Sequence, residues 1–371
     1  TINPLAIVIT GTMVYNGGTT VTTSNADLLI GNKVSGDTVT LSGGSARVSS
    51  KNVSAGSQSL SNFSGLSLSN NSSGNYTISG VSGEITITPA PLGIQVTGVY
   101  SGSTTLTNIT SFAVTGLQGS DTISSLASVT VSNKNVSASS KYVTELVIAS
   151  GSADIGNYSL NASYSAPVTT TTRTKNDYRC DHDCSYTTTT TTTPTNSTNT
   201  ATINPLAIVI TGTMVYNGGT TVTTSNADLL IGNKVSGDTV TLSGGSARVS
   251  SKNVSAGSQS LSNFSGLSLS NNSSGNYTIS GVSGEITINP LAIVITGTMV
   301  YNGGTTVTTS NADLLIGNKV SGDTVTLSGG SARVSSKNVS AGSQSLSNFS
   351  GLSLSNNSSG NYTISGVSGE I

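Results

Sequence analysis

Residue types able to do chemistry are few in this chain of 371 residues. Its two cysteines and single histidine all fall in one run, Asp177-Tyr178-Arg179-Cys180-Asp181-His182-Asp183-Cys184. Cys and His together are ligands that zinc and copper favour. Structural zinc asks for four ligands at familiar spacings, however, and Cys-x3-Cys with one His leaves the set incomplete. In an extracellular chain the same pair reads as a disulfide, either Cys180 with Cys184 or bridges to other chains. Nucleophilic catalysis is equally short of parts. Serine is abundant, but with one histidine no Ser-His-Asp set can be assembled in the rest of the chain. An isopeptide bond from Lys33 or Lys51 to an asparagine, assisted by an acid such as Glu84, is the remaining covalent option. No enzyme activity, metal or other cofactor is expected.

The elements that would position such groups are repeated. Thr1 to Ile85 recurs letter for letter as Thr202 to Ile286 and again as Thr287 to Ile371. A diverged copy runs from Thr86 to Pro167. Its drift shows what one repeat keeps. Val14-Tyr15-Asn16-Gly17 returns as Val99-Tyr100-Ser101-Gly102, and Gly36-Asp37-Thr38 as Ser120-Asp121-Thr122. Lys51-Asn52-Val53-Ser54-Ala55 returns as Lys134-Asn135-Val136-Ser137-Ala138, and Gly74-Asn75-Tyr76 as Gly156-Asn157-Tyr158. Each kept feature has a structural use. Tyr15 and Tyr76 can close a thin core while their hydroxyls find polar partners. Asn16-Gly17 and Gly74-Asn75 supply residues that tolerate positive φ in tight turns. Tyr15, Gly17, Asp37, Lys51, Asn52, Gly74, Asn75 and Tyr76 are therefore the signature of turns and core.

Strand signals recur about every 8–12 residues with turn formers between them, which predicts an all-β fold. Leu5 to Thr10 is a continuous apolar strand, and Thr38 to Leu41 alternates. Tyr76 to Ser79 and Glu84 to Ile87 flank Gly80-Val81-Ser82-Gly83 as a hairpin. The expectation is a tandem array of β-sandwich, Ig-like modules at 1–85, 86–167, 202–286 and 287–371. A β-solenoid is the alternative, but it wants a rung of roughly 20–29 residues. One closing strand runs into the next lead strand through Asn289-Pro290 or Thr88-Pro89, and proline keeps such a junction extended and stiff. The Thr-rich stretch 168–201 reads as a low-complexity linker that would span about 30–35 Å as a coil.

The kept motifs resemble the YDG-type repeat of large bacterial surface adhesins related to filamentous haemagglutinin. Val14-Tyr15-Asn16-Gly17, Gly36-Asp37-Thr38-Val39, Lys51-Asn52-Val53-Ser54 and Gly74-Asn75-Tyr76 carry the resemblance, with Asn16 and Ser54 departing from it. It implies export to the cell surface and a repetitive stalk.

Composition limits the partners. Charged residues make up 8% of the chain, with 14 basic against 15 acidic, where a typical soluble domain has roughly 25% charged residues. Nucleic-acid binding needs a clustered basic face, and the charges here are scattered and balanced. There is no apolar run near the ~20 residues a membrane-spanning helix needs. Low charge removes long-range repulsion between copies. The expected function is a structural or adhesive extracellular filament or stalk that associates with itself, with strand exchange at Leu5-Ala6-Ile7-Val8-Ile9 as one route. The rival is recognition of surface glycans or receptors through Asn- and Ser-rich loops, which the low aromatic content, 4%, weakens.

Overall fold

The computed structural model describes residues 1–139, 141–160, 168–175, 186–193 and 199–371. It divides into two compact units, Thr1–Pro205 and Leu206–Ile371, each holding two repeats. The described residues form strands and short 3-10 turns, with no α-helix among them. The sheets are small and open, and no coil of short rungs is present among them.

In the first repeat the lead strand, Leu5–Val14, lies in the middle of a four-stranded sheet. Ala26–Ile30 runs antiparallel on one side of it. The closing strand, Tyr76–Thr88, runs parallel on the other and carries Ser57–Ser59 at its far edge. A second sheet of Thr20–Thr22, Ser45–Arg47 and Ser61–Ser64 covers the first. Side chains alternate across a strand, so Ile7, Ile9 and Met13 from the lead strand and Ile85 and Ile87 from the closing strand turn inward. They are buried with Val21, Ala46, Val48 and Leu60. The result is a β-sandwich whose principal sheet is mixed, because lead and closing strands are parallel.

The segment Leu5–Ile9 is therefore an interior strand. Its outer side is occupied beyond the reach of Ala26–Ile30. There the Asn32 side chain takes the place of a strand: the Val8 amide donates to Asn32 Oδ1 (2.8 Å) and Asn32 Nδ2 donates to the Ala6 carbonyl (2.8 Å). Asn233 and Asn318 repeat the arrangement. Strand exchange at Leu5–Ile9, expected from its apolar run, would have to displace both neighbours.

Gly80 to Gly83 is likewise not a hairpin loop. Tyr76–Thr88 is one strand that bulges: Ala6 pairs with Thr77 and Val8 with Ser82, so residues 78–81 leave the ladder opposite Ile7. This bulge explains the Thr-rich stretch. In the second repeat the lead strand Ala90–Val99 pairs first with Tyr158–Leu160. It then continues, in the register of the first repeat, with Asn199–Asn204. Residues 161–198 enter at the position of the bulge, where a strand has already given up its ladder hydrogen bonds. The boundary expected at residue 168 thus falls inside the second repeat, whose closing strand ends just before Pro205. Within the insertion, Val168–Lys175 pairs antiparallel with Tyr186–Thr193, so part of the expected coil is a hairpin. The candidate disulfide pair, Cys180 and Cys184, lies outside the described residues.

Candidate functional site: the junction between repeats

Within each unit one repeat passes into the next through a single proline. Thr88 ends a closing strand, Pro89 follows, and Ala90 begins the next lead strand. Asn289, Pro290 and Leu291 do the same in the second unit. The lead strand of the earlier repeat reaches this crossing and delivers its tyrosine there, since the Tyr15 amide donates to the Thr88 carbonyl (2.8 Å) and the Tyr216 amide to Asn289 (2.9 Å). A tight turn follows, with Gly17 at φ +78° and Asn16 Oδ1 accepting from the Gly18 amide (2.9 Å).

The later repeat supplies an aspartate and a second tyrosine. Asp121 sits in a turn closed by its amide donating to the Gln118 carbonyl (3.1 Å). Tyr15 Oη donates to Asp121 Oδ2 (2.8 Å), and Tyr158 Oη donates to the same oxygen (2.7 Å). The Tyr158 oxygen in turn accepts from the Gln118 amide (3.0 Å). The two rings meet edge to face, with centroids 5.4 Å apart and planes at 75°, a favoured aromatic arrangement. Lys51 of the earlier repeat lies over the Tyr15 ring, 5.8 Å from its centroid, and its Nζ is 3.6 Å from Asp121 Oδ1. A second clasp lies beside the first. Buried Asn157 accepts from the Val53 amide through Oδ1 (2.9 Å) and donates through Nδ2 to Asn52 Oδ1 (3.1 Å).

The second unit repeats the hydrogen bonds and the ion pair. Tyr216 and Tyr362 both donate to Asp323 Oδ2, at 2.8 and 2.7 Å. Lys252 Nζ is 3.7 Å from Asp323 Oδ1. Asn361 Oδ1 accepts from the Val254 amide (2.9 Å) and Asn361 Nδ2 donates to Asn253 Oδ1 (2.9 Å).

The protonation states suit a lock rather than a reaction. Burial alone would raise the pKa of Asp121, but the hydrogen bonds from Tyr158 and Tyr15 and the Lys51 charge outweigh it and hold the carboxyl below its ordinary value. Asp323 is lowered by the same balance. Burial, joined by the Asp121 charge and hydrogen bond, pushes the Tyr158 phenol up to about 12. The Tyr15 hydrogen bond, then the Asp121 charge, raises Lys51. Carboxylate, ammonium and neutral phenols are each favoured in the form that binds. Amide formation between Lys51 and Asp121 would need both groups neutral, the opposite of what the site favours.

The eight signature residues therefore do not gather within a repeat. Tyr15, Gly17, Lys51 and Asn52 form the trailing face of the first repeat. Asp37, Gly74, Asn75 and Tyr76 form its leading face, where Tyr76 Oη donates to Asp37 Oδ2 (2.6 Å) and accepts from the Val34 amide (2.9 Å). Gly74 has φ +64°, and the Asn71 side chain brackets Tyr76 by bonding both its amide and its carbonyl. Of the four turn residues read from the sequence, Gly17 and Gly74 take positive φ, and Asn16 and Asn75 do not. The role across the seam, and the edge cap at Asn32, were missed. The signal for the first was present: Lys51 and Asp37 are charged residues kept in a drifting copy, and a turn alone does not require a lysine. Among the described residues no cluster of three metal-ligating side chains occurs.

These are tandem β-sandwich repeats clasped tyrosine to aspartate. The chain belongs to the YDG domain family, which matches residues 1–83, 197–284 and 286–369. No curated protein is detectably similar to the chain.

Proposed function

We propose that the chain is a structural element, built from YDG repeats locked together in pairs and used as a stalk or filament segment outside the cell. One observation carries this reading: the same Tyr–Asp–Tyr–Lys lock, with the same asparagine clasp, closes the junction in both units. A lock spent wholly on joining repeats is what a load-bearing or spacing element needs, since the stability of an array is the sum of its repeats and their interfaces. Resemblance to adhesin repeats and the low charge support a place on the cell surface. Glycan or receptor recognition draws less support, because Tyr15, Tyr76, Tyr158, Tyr216 and Tyr362 are buried rather than presented to ligand. Two measurements test the proposal. An antibody to the repeat should label intact source cells, and labelling confined to permeabilised cells overturns the surface reading. Solution scattering of the Asp121→Ala/Asp323→Ala double variant should show a broader distance distribution than the parent; superimposable curves remove the stiffening role.

A further inference from the structure

The two phenols at each junction share one acceptor atom. Tyr15 and Tyr158 both donate to Asp121 Oδ2, at 2.8 and 2.7 Å. Tyr216 and Tyr362 both donate to Asp323 Oδ2, at the same distances, 2.8 and 2.7 Å. A shared acceptor draws the hydroxyl edges of two rings toward one point. Ring centroids are 5.4 Å apart at the first junction and 5.6 Å at the second, with planes at 75° and 69°. All four rings are buried.

Paired phenols on one carboxylate suit a particular chemistry. Removing an electron from a phenol makes its proton strongly acidic, and a buried radical cation is costly. Here the carboxylate is already hydrogen-bonded and takes that proton with no movement of heavy atoms. The resting phenols are neutral, because burial, joined by the Asp121 hydrogen bond, raises both Tyr15 and Tyr158. Electron and proton therefore leave together. What remains is a neutral phenoxyl radical, with its spin on oxygen and on the ring carbons beside the hydroxyl, Cε1 and Cε2. Two such radicals held side by side couple faster than radicals that must meet by diffusion. Burial keeps them from solvent species and from other chains. The rings of the coupled product stand twisted about the new bond, as these planes already do.

We propose that each junction is an oxidative cross-linking site, where Tyr15 couples to Tyr158, and Tyr216 to Tyr362, through a Cε–Cε bond. The oxidant is a peroxide activated by a metal centre outside this chain. Each tyrosine of a pair loses one electron and one proton. The peroxide takes the two electrons and its O–O bond breaks; with the two protons, hydrogen peroxide leaves as two waters. Asp121 passes the first proton to solvent on its Oδ1 side, beside half-buried Lys51, and is then ready for the second. After coupling, the hydrogen on each joined carbon moves to its oxygen and restores both phenols. The bond runs from one repeat to the next, so a hydrogen-bonded joint becomes a covalent one. The proposal rests on the junction reading given above, and the two fail separately.

The test treats the full chain in dilute solution with persulfate, a peroxide, activated by photolysed ruthenium tris-bipyridyl. Tryptic digestion and mass spectrometry should find Tyr15 linked to Tyr158 and Tyr216 linked to Tyr362. Each linked pair should be two hydrogens lighter than its parts, with a yield unchanged on tenfold dilution. Tyr15→Phe keeps the ring and should lose the first link alone, the second serving as control in the same molecule. Asp121→Asn keeps the side chain's size and removes the base, and its first link should fall at least tenfold against its second. No linked pair, or links formed mainly through tyrosines outside the junctions, overturns the proposal. So does an Asp121→Asn chain that links as fully as the parent. Loss of the junction reading would show elsewhere, as an unchanged melting temperature in Asp323→Ala.

Discussion

At the first junction Tyr15 meets Asp121 from a diverged repeat, and at the second Tyr216 meets Asp323 from an identical one. Around the aspartate the sequences part. Gln118-Gly119-Ser120 stands in one where Val320-Ser321-Gly322 stands in the other. Gly17 faces the backbone of Gly119, whereas Gly218 faces the Val320 side chain. The bonds to the carboxylate nevertheless agree within 0.1 Å across the two sites. Burial does differ: the Asp121 side chain is 4% exposed and that of Asp323 is 16%. Drift has thus been tolerated in the wall of the joint and not in its polar centre. An unpaired phenol or carboxylate there costs far more than a changed apolar contact.

Removing the aspartate gives the largest effect. Asp121→Ala leaves the Tyr15 and Tyr158 hydroxyls without their shared acceptor, and Asp323→Ala does the same to Tyr216 and Tyr362. Each should cost about 2–5 kcal/mol, read as a lowered melting temperature in calorimetry of the whole chain. Asp121→Ala should be the worse of the two because its site is drier. Equal losses would mean that the difference in exposure has no energetic consequence. A loss under about 0.5 kcal/mol, the size of an ordinary surface change, would mean that the lock does not stabilise the array.

The next effect is on pH. Asp121 and Asp323 have folded pKa values below the unfolded one. Their contribution is fully present above the unfolded value, about 3.9, and is lost as pH falls through the lower folded value. Tyr158 has the opposite sense. With its pKa raised to about 12, its contribution is intact below the unfolded value near 10 and is lost as pH climbs toward about 12. Melting temperature against pH should therefore be flat between these limits and fall at both ends. In Asp121→Ala the acid limb should become shallower. An unchanged acid limb would place the titration elsewhere.

Much of this was legible in the residues before any coordinates. Letter-for-letter repetition gave the repeats, alternation gave the strands, and Thr88-Pro89 gave a direct passage between neighbours. Gly17 and Gly74 were readable because positive φ is a local property. Three things were hidden. The hydroxyl partner of Tyr15 lies in another repeat, and nothing local distinguishes Asp37 from Asp121 as the acceptor. The bulge at residues 78–81 looks like a hairpin, because glycines mark both and only pairing separates them. Asn32 as a substitute strand depends on where a neighbouring strand stops. The Thr-rich insertion was read as a linker from its low-complexity composition, which says nothing of where in a repeat it enters.

Lysine gives the smallest effect and the finest comparison. Lys51 is 41% exposed and Lys252 43%, so each is a surface partner to a more buried carboxylate. Exposed ion pairs contribute about 0–1 kcal/mol and weaken with salt. Lys51→Met keeps the aliphatic stem over the Tyr15 ring and removes only the charge. The expected loss is a few tenths of a kcal/mol, on the scale of such surface pairs, and it should shrink as salt is added. Lys252→Met should lose less, because Asp323 is better solvated and water replaces the ammonium more fully. If both losses instead approached those of the aspartate variants, the ion pair would be the centre of the joint. The phenols would then be packing around it, reversing the order of importance assigned here to tyrosine and lysine.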